Sequence, residues 1–212
     1  MTKCKAILFD LGGVILNIDY KLTSLAFKTL GVNNFDELYT QKNQIPIFDQ
    51  FETGKCSPKE FLQQLNEIIN KNILEADLIN AWNAMLLDLP TIRLNYLNTL
   101  KKDYRVYLLS NTNEIHISAF EKTLNKAGQI NSFQDCFNNI YYSCRMGLRK
   151  PNKDCFMKVL EEVYSKPEEM LFIDDSIQHI EGAKSCGIQA HLLPKDQCIT
   201  TFVPDIIQSK PH

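Results

Sequence analysis

The chain has 212 residues, 44 % of them hydrophobic and 23 % charged, which is enough apolar material for one good core and an insertion of roughly half its size. A net charge of −2, a pI near 6.1 and the lack of any Lys/Arg run interleaved with aromatics argue against a nucleic-acid partner. Seven scattered cysteines with no Cys-x-x-Cys pair suit a reducing compartment, and no stretch approaches the roughly 20 apolar residues that a membrane span needs.

In chain order, the first apolar run follows Lys3 and Lys5 and has the outline of a signal peptide. Asp10 and the Gly12–Gly13 pair interrupt it, and no small-x-small cleavage site follows, so a cytoplasmic protein is expected. Five short runs rich in β-formers read as buried parallel strands: Ala6–Phe9, Arg105–Leu109, Ile140–Tyr142, Met170–Ile173 and Gln189–Leu193. Helical patterns lie between the later strands at Ser118–Ala127, Asn152–Tyr164 and Ser176–Cys186, the last closed by Gly187. Alternating strand and helix predict an α/β fold with a doubly wound parallel, Rossmann-like sheet. Residues 17–89 break the alternation with helical patterns at 21–30, 59–71 and 75–87, and with a capping box at Ser57-Pro58-Lys59-Glu60. They read as a helical cap inserted after the first strand, leaving 1–16 and 90–212 as the catalytic core.

Four motifs fall at the carboxyl ends of the first four strands, where ligands of such sheets bind. Phe9-Asp10-Leu11-Gly12-Gly13 runs a strand into an Asp, which alone also suits a tight turn. Leu109-Ser110-Asn111-Thr112-Asn113 offers phosphate donors or an ordinary N-cap cluster. Gly147-Leu148-Arg149-Lys150-Pro151 sets a fixed cation in a loop, although a lone Lys is usually solvated. Ile173-Asp174-Asp175-Ser176 places two acids together, and these repel unless a cation such as a hard divalent metal joins them.

In order and spacing, the four motifs resemble the haloacid dehalogenase superfamily of phosphohydrolases. More narrowly, with Phe48-x-x-Phe51-Glu52-x-Gly54-Lys55-x-Ser57 in the cap, they resemble the bacterial α-D-glucose-1-phosphate phosphatase group. The resemblance implies Asp10 as nucleophile and a Mg²⁺ ion held by Asp10, the Gly12 carbonyl and Asp175, with Asp174 adjacent or acting through water. It also implies Ser110 and Asn111 as phosphate-binding residues and Lys150 as the cation that clamps phosphate and nucleophile. A phosphate dianion cannot approach an ionised Asp unless such charges cancel the repulsion.

The pattern departs from the superfamily at Gly12, where most members carry a second Asp that protonates the leaving alcohol and later activates water. An anomeric hydroxyl leaves without that help, so a hexose 1-phosphate is the expected kind of substrate. His116 is a candidate replacement for the acid, or else an exposed His at the start of a helix. His179, where the resembled group has Asn, either orients the acidic loop or is merely tolerated; His191 and His212 carry no functional signal. Phe27, Phe61 and Trp82 read as cap core. The rival readings are a 2-haloacid dehalogenase-type hydrolase, which lacks the acidic pair, and a catalytically silent phosphate-ligand binding domain. The expected partner is a small phosphorylated metabolite, with no nucleic acid or membrane, and the chain is expected to be a monomer or weak dimer.

Overall fold

The computed structural model describes residues 4–40 and 44–208 of the chain; Lys3 and His212 lie outside them. Five strands, β1 (Ala6–Phe9), β2 (Arg105–Ser110), β3 (Asn139–Tyr142), β4 (Met170–Asp174) and β5 (Gln189–Leu192), form one parallel sheet in the order β3-β2-β1-β4-β5. β1 is central because its four residues Ala-Ile-Leu-Phe are buried on both faces, with Ile7 opposite Val106 and Leu171. Alternation along the strands sends Ile7, Phe9, Leu108 and Ile173 to one apolar layer and Ala6, Leu8, Leu109 and Phe172 to the other. The chain winds outward from β1 through β2 to β3, then crosses back to β4 and β5. The order therefore reverses at β1, and a crevice opens at the carboxyl ends of β1 and β4.

Between β1 and β2 run α1 (Tyr20–Thr29), α2 (Phe35–Leu38), α3 (Pro46–Glu52), α4 (Pro58–Ile68), α5 (Glu75–Asn83) and α6 (Thr91–Leu100). α1 to α5 share a separate apolar cluster. Phe27 stacks on Phe35 at 3.8 Å, Phe51 on Phe61 at 4.2 Å, and Trp82 stands fully buried against Phe48. α4 starts as its sequence dictates: Ser57 accepts from the Glu60 N–H while Glu60 accepts from the Ser57 N–H, with Pro58 at the first helical position. α6 instead packs Leu94, Leu97 and Leu100 into the sheet core. Two antiparallel linkers join the units: Asn17 N–H donates to the Asp88 carbonyl and Asp19 N–H to that of Met85, each at 3.0 Å.

The remaining helices are α7 (Glu114–Lys126), α8 (Ile130–Asp135), α9 (Ser143–Met146), α10 (Lys153–Glu162), α11 (Ile177–Ser185) and α12 (Ile199–Gln208). α7 begins a turn before the hydrophobic pattern predicts. The Asn113 side chain accepts from His116 N–H at 3.0 Å and so caps the helix at Glu114. No disulfide joins any of the seven cysteines.

Candidate active site

Asp10 follows β1 directly, its N–H donating to the Ile173 carbonyl at 2.9 Å, so its carboxylate stands where the β1 and β4 ends meet. Beyond it the backbone turns through Gly13, whose φ of 74° suits glycine. A Cβ there would sit 2.5 Å from Asp175 Oδ2, so only glycine lets that carboxylate lie against the β1 loop. Gly12 differs: a Cβ would meet only the movable Ile18 Cδ1 at 2.9 Å, and its φ lies outside the left-handed region.

Lys150 is fully buried, contrary to the solvated position expected of a lone lysine, because two carboxylates solvate it in place of water. Its Nζ lies 2.7 Å from both Asp10 Oδ1 and Asp174 Oδ2. Asn111 holds this lysine by its peptide, accepting from Lys150 N–H and donating to its carbonyl, each at 2.9 Å. The Asn111 amide is therefore engaged with backbone as well as lining the cavity. Asp174 also accepts from Ser176 N–H at 2.8 Å and faces His179 Nδ1 at 2.9 Å. His179 is thus more than a tolerated substitution, since it is a partner of the acidic pair. Burial works against the charge on Asp174, but Lys150 and His179 hold its pKa down at about 2. Burial raises the pKa of Asp10, opposed by Lys150 and reinforced by Asp174. Burial likewise opposes the Lys150 charge, but the two carboxylates overcome it and hold its pKa above the usual lysine range.

Asp10, Asp174 and Asp175 bring carboxylate oxygens within 4.8 Å of one another. Three hard oxygen donors converging on one point fit a Mg²⁺ ion.

Above them is a cavity of about 90 Å³. Ser110, Asn111 and Asp175 line it from the core, Tyr20, Tyr39 and Glu52 from the helical insertion, and Arg149 and His116 between the two. Arg149 reaches from the loop before Lys150 to two carboxylates of α3, Asp49 and Glu52, at 3.0 Å each. With its amide oriented to satisfy its neighbours, Gln44 accepts from Arg149 as well. Burial raises the Glu52 pKa, and Arg149 opposes the rise. Tyr20 is held protonated by burial and by the surrounding acids, Asp175 first.

His116 lies in this wall and is not exposed as the sequence suggested, being only 8 % accessible. The earlier start of α7 puts it inside, and Trp82 stacks on it at 4.9 Å. The structure therefore gathers Asp10, Gly12, Ser110, Asn111, Lys150, Asp174 and Asp175 in one place. Tyr20, Tyr39, Gln44 and Glu52 were not assigned from sequence. Only Glu52 carried a signal, as part of the stretch from Phe48 to Ser57.

A doubly wound sheet whose central strand ends in an Asp, facing a buried Lys and an acidic pair, defines an α/β protein with an aspartate-centred site at its switch point. Residues 4–187 match the model of the haloacid dehalogenase-like hydrolases, and the chain belongs to that family. A D-ribitol-5-phosphate phosphatase of Bacteroides thetaiotaomicron is 32 % identical over 87 % of this chain and 89 % of its own length. Among solved structures, a family enzyme of the same organism, bound to magnesium and inorganic phosphate, superposes with a TM-score of 0.86 at 32 % identity. That match covers 94 % of this chain and 98 % of the other. A HAD-like family hydrolase of Porphyromonas gingivalis superposes at 0.84 with 27 % identity, covering 99 % and 100 %.

Proposed function

We propose that the chain is a Mg²⁺-dependent phosphoric monoester hydrolase of small phosphorylated metabolites, with Asp10 as nucleophile and a sugar or sugar-alcohol phosphate as substrate. The observation that carries this reading is the convergence of Asp10, Asp174 and Asp175 around a buried Lys150 at the crevice of the sheet. In this reading residues 17–89 form a cap that roofs the crevice and reads the leaving group, while 1–16 and 90–212 do the chemistry.

Asp10, the Gly12 carbonyl and Asp175 would hold the ion, with Asp174 supporting them because its oxygens already serve Lys150, Ser176 and His179. Bound there, Mg²⁺ supplies the positive charge that lets a phosphate dianion approach a carboxylate. Lys150 neutralises Asp10 from the other side, and Ser110 and Asn111 orient the phosphate. A carboxylate oxygen of Asp10 forms a bond to phosphorus as the ester P–O bond breaks, giving an aspartyl-phosphate and an alkoxide. Water then cleaves the acyl phosphate, regenerating Asp10. Gly12 has no proton to give, so the alkoxide takes one from water or from another wall residue.

Two substrate classes compete. The missing acid favours a hexose 1-phosphate, whose anomeric oxygen leaves readily. The named activity of the Bacteroides relative favours a sugar-alcohol phosphate, whose leaving group is an ordinary alkoxide. The test is a panel of hexose 1-phosphates, hexose 6-phosphates, D-ribitol 5-phosphate and an aryl phosphate, each with Mg²⁺ and with EDTA. Metal-dependent release of phosphate is expected, lost by ~10³-fold or more in Asp10→Asn. Turnover unaffected by EDTA, or retained in Asp10→Asn, would overturn the reading. A complete lack of hydrolysis with retained phosphate binding would instead favour the silent binding domain.

A further inference from the structure

The phosphatase reading leaves the imidazole of His116 without a task, although it walls the cavity over Asp10. Its Nδ1 lies 2.8 Å from Asn83 Oδ1 at the end of α5. An amide oxygen only accepts, so Nδ1 carries the ring proton and Nε2 is a bare lone pair. The ring has little freedom to do otherwise. Trp82 stacks on one face at 4.9 Å and 13°, and Asn113 Oδ1 accepts both the Trp82 indole N–H at 3.4 Å and His116 N–H at 3.0 Å.

Nε2 is buried and, among the described residues, has no hydrogen-bond partner. A buried acceptor left unpaired is costly, and such groups in folded proteins usually meet water or a ligand. Burial also pushes the His116 pKa down to about 3, so the ring stays neutral at any physiological pH. A neutral acceptor cannot bind phosphate, and so weak a base has little hold on a proton. What suits it is an uncharged donor. On the same wall Arg149 Nε is another buried polar atom without a hydrogen-bond partner among the described residues, so a donor and an acceptor both go unmet there. A hydroxyl-bearing chain can satisfy both kinds.

We propose that His116 Nε2 is a specificity-determining acceptor for a hydroxyl of the substrate's leaving group, with Asn83 as the positioning residue that fixes its tautomer. This rests on the phosphatase reading and narrows its substrates to polyhydroxylated phosphates. It also assigns His116 to recognition and not to replacing the missing acid.

The experiment compares kcat/KM for D-ribitol 5-phosphate with that for para-nitrophenyl phosphate, which has no hydroxyl to offer. His116→Phe keeps a ring for Trp82 to stack on and removes the acceptor. The ratio of the two kcat/KM values is expected to fall about 10- to 100-fold, mostly through KM, and His116→Gln to recover part of it. An unchanged ratio with both substrates slowed together would overturn the proposal and point to a structural or proton-transfer role. A second readout needs no turnover. Histidine-selective nitrogen-15 NMR of the Asp10→Asn protein, titrated with D-ribitol 5-phosphate and Mg²⁺, should shift the His116 Nε2 resonance toward the hydrogen-bonded position, with Nδ1 still protonated. Saturable binding without that shift would also overturn it. Failure of all hydrolysis in the wild type, with the shift intact, would count against the phosphatase reading and leave this one standing.

Discussion

Lys150 has no solvent exposure yet remains charged, because Asp10 and Asp174 each stand 2.7 Å from its Nζ. A buried ion network is stable only while complete, so the two adjacent acids have different tasks. Asp174→Ala removes one of the two carboxylates holding Lys150, together with the acceptor of His179 and Ser176, and is expected to cost about 3 kcal/mol or more of folding stability. Asp175→Ala should leave metal-free stability closer to wild type and weaken Mg²⁺ binding more. Metal titration and denaturant melts of both variants decide the matter, and the reverse order would reassign the two acids. His116 adds a pH dependence of known sign. Its folded pKa of about 3 lies below the ordinary 6.5, so between those values the unfolded chain binds a proton that the folded chain does not. Stability conferred by the neutral buried ring is full above pH 6.5 and declines as pH falls toward 3. Subtracting the pH profile of His116→Phe from that of the wild type should leave a slope of about one proton across pH 5 to 6, and a flat difference would contradict the burial.

At the scale of elements, α3 is the link between insertion and core. Asp49 and Glu52 sit one turn apart on it, and the Arg149 guanidinium spans both with the fork geometry a lysine lacks. The turn after α3 docks through Gly54, which has φ of 68° and whose Cβ position is occupied by the Cys144 carbonyl oxygen. Gly54→Ala therefore meets a backbone atom as well as an unfavourable φ. It is expected to cost about 1–3 kcal/mol and, by shifting Glu52, to raise KM more than it lowers kcat. A stable variant with unchanged KM would show that α3 does not set the cavity. The strands and helices α1, α4, α5, α7, α10 and α11 were legible from local periodicity, whereas α6 and α12, ten residues each, were not assigned. α2, α3 and α9 were not legible either, since four to seven residues carry too little pattern. The start of α7 was misplaced because its signal is a capping side chain, Asn113, and the hydrophobic repeat begins only later.

For the molecule as a whole, three carboxylates within 4.8 Å at one end of the sheet store repulsion that Lys150 relieves only in part. A cation binding there stabilises the folded chain alone, so Mg²⁺ at a hundred times its Kd should add about 2.7 kcal/mol. For a chain of this size that corresponds to a Tm rise of about 5–10 °C. Asp175→Ala should abolish most of the rise, and a Tm indifferent to millimolar Mg²⁺ would count against the site.

Short-range information in the chain was enough for the parallel sheet, the four strand-end motifs and their meeting. Each buried strand announces itself by its own residues, and alternation of strand and helix forces the carboxyl ends to one side. Folding alone decided which side chains the insertion adds to the cavity and what state they take there. Tyr20, Tyr39 and Glu52 line the same cavity as Asp10 because an aromatic cluster spread over five helices holds the insertion together. His116 stays neutral even well below pH 6.5 because it is buried, with Trp82 and Asn83, from some 33 residues upstream, packed against its ring. Burial and electrostatic environment are sums over distant neighbours, and no local pattern of residues encodes them.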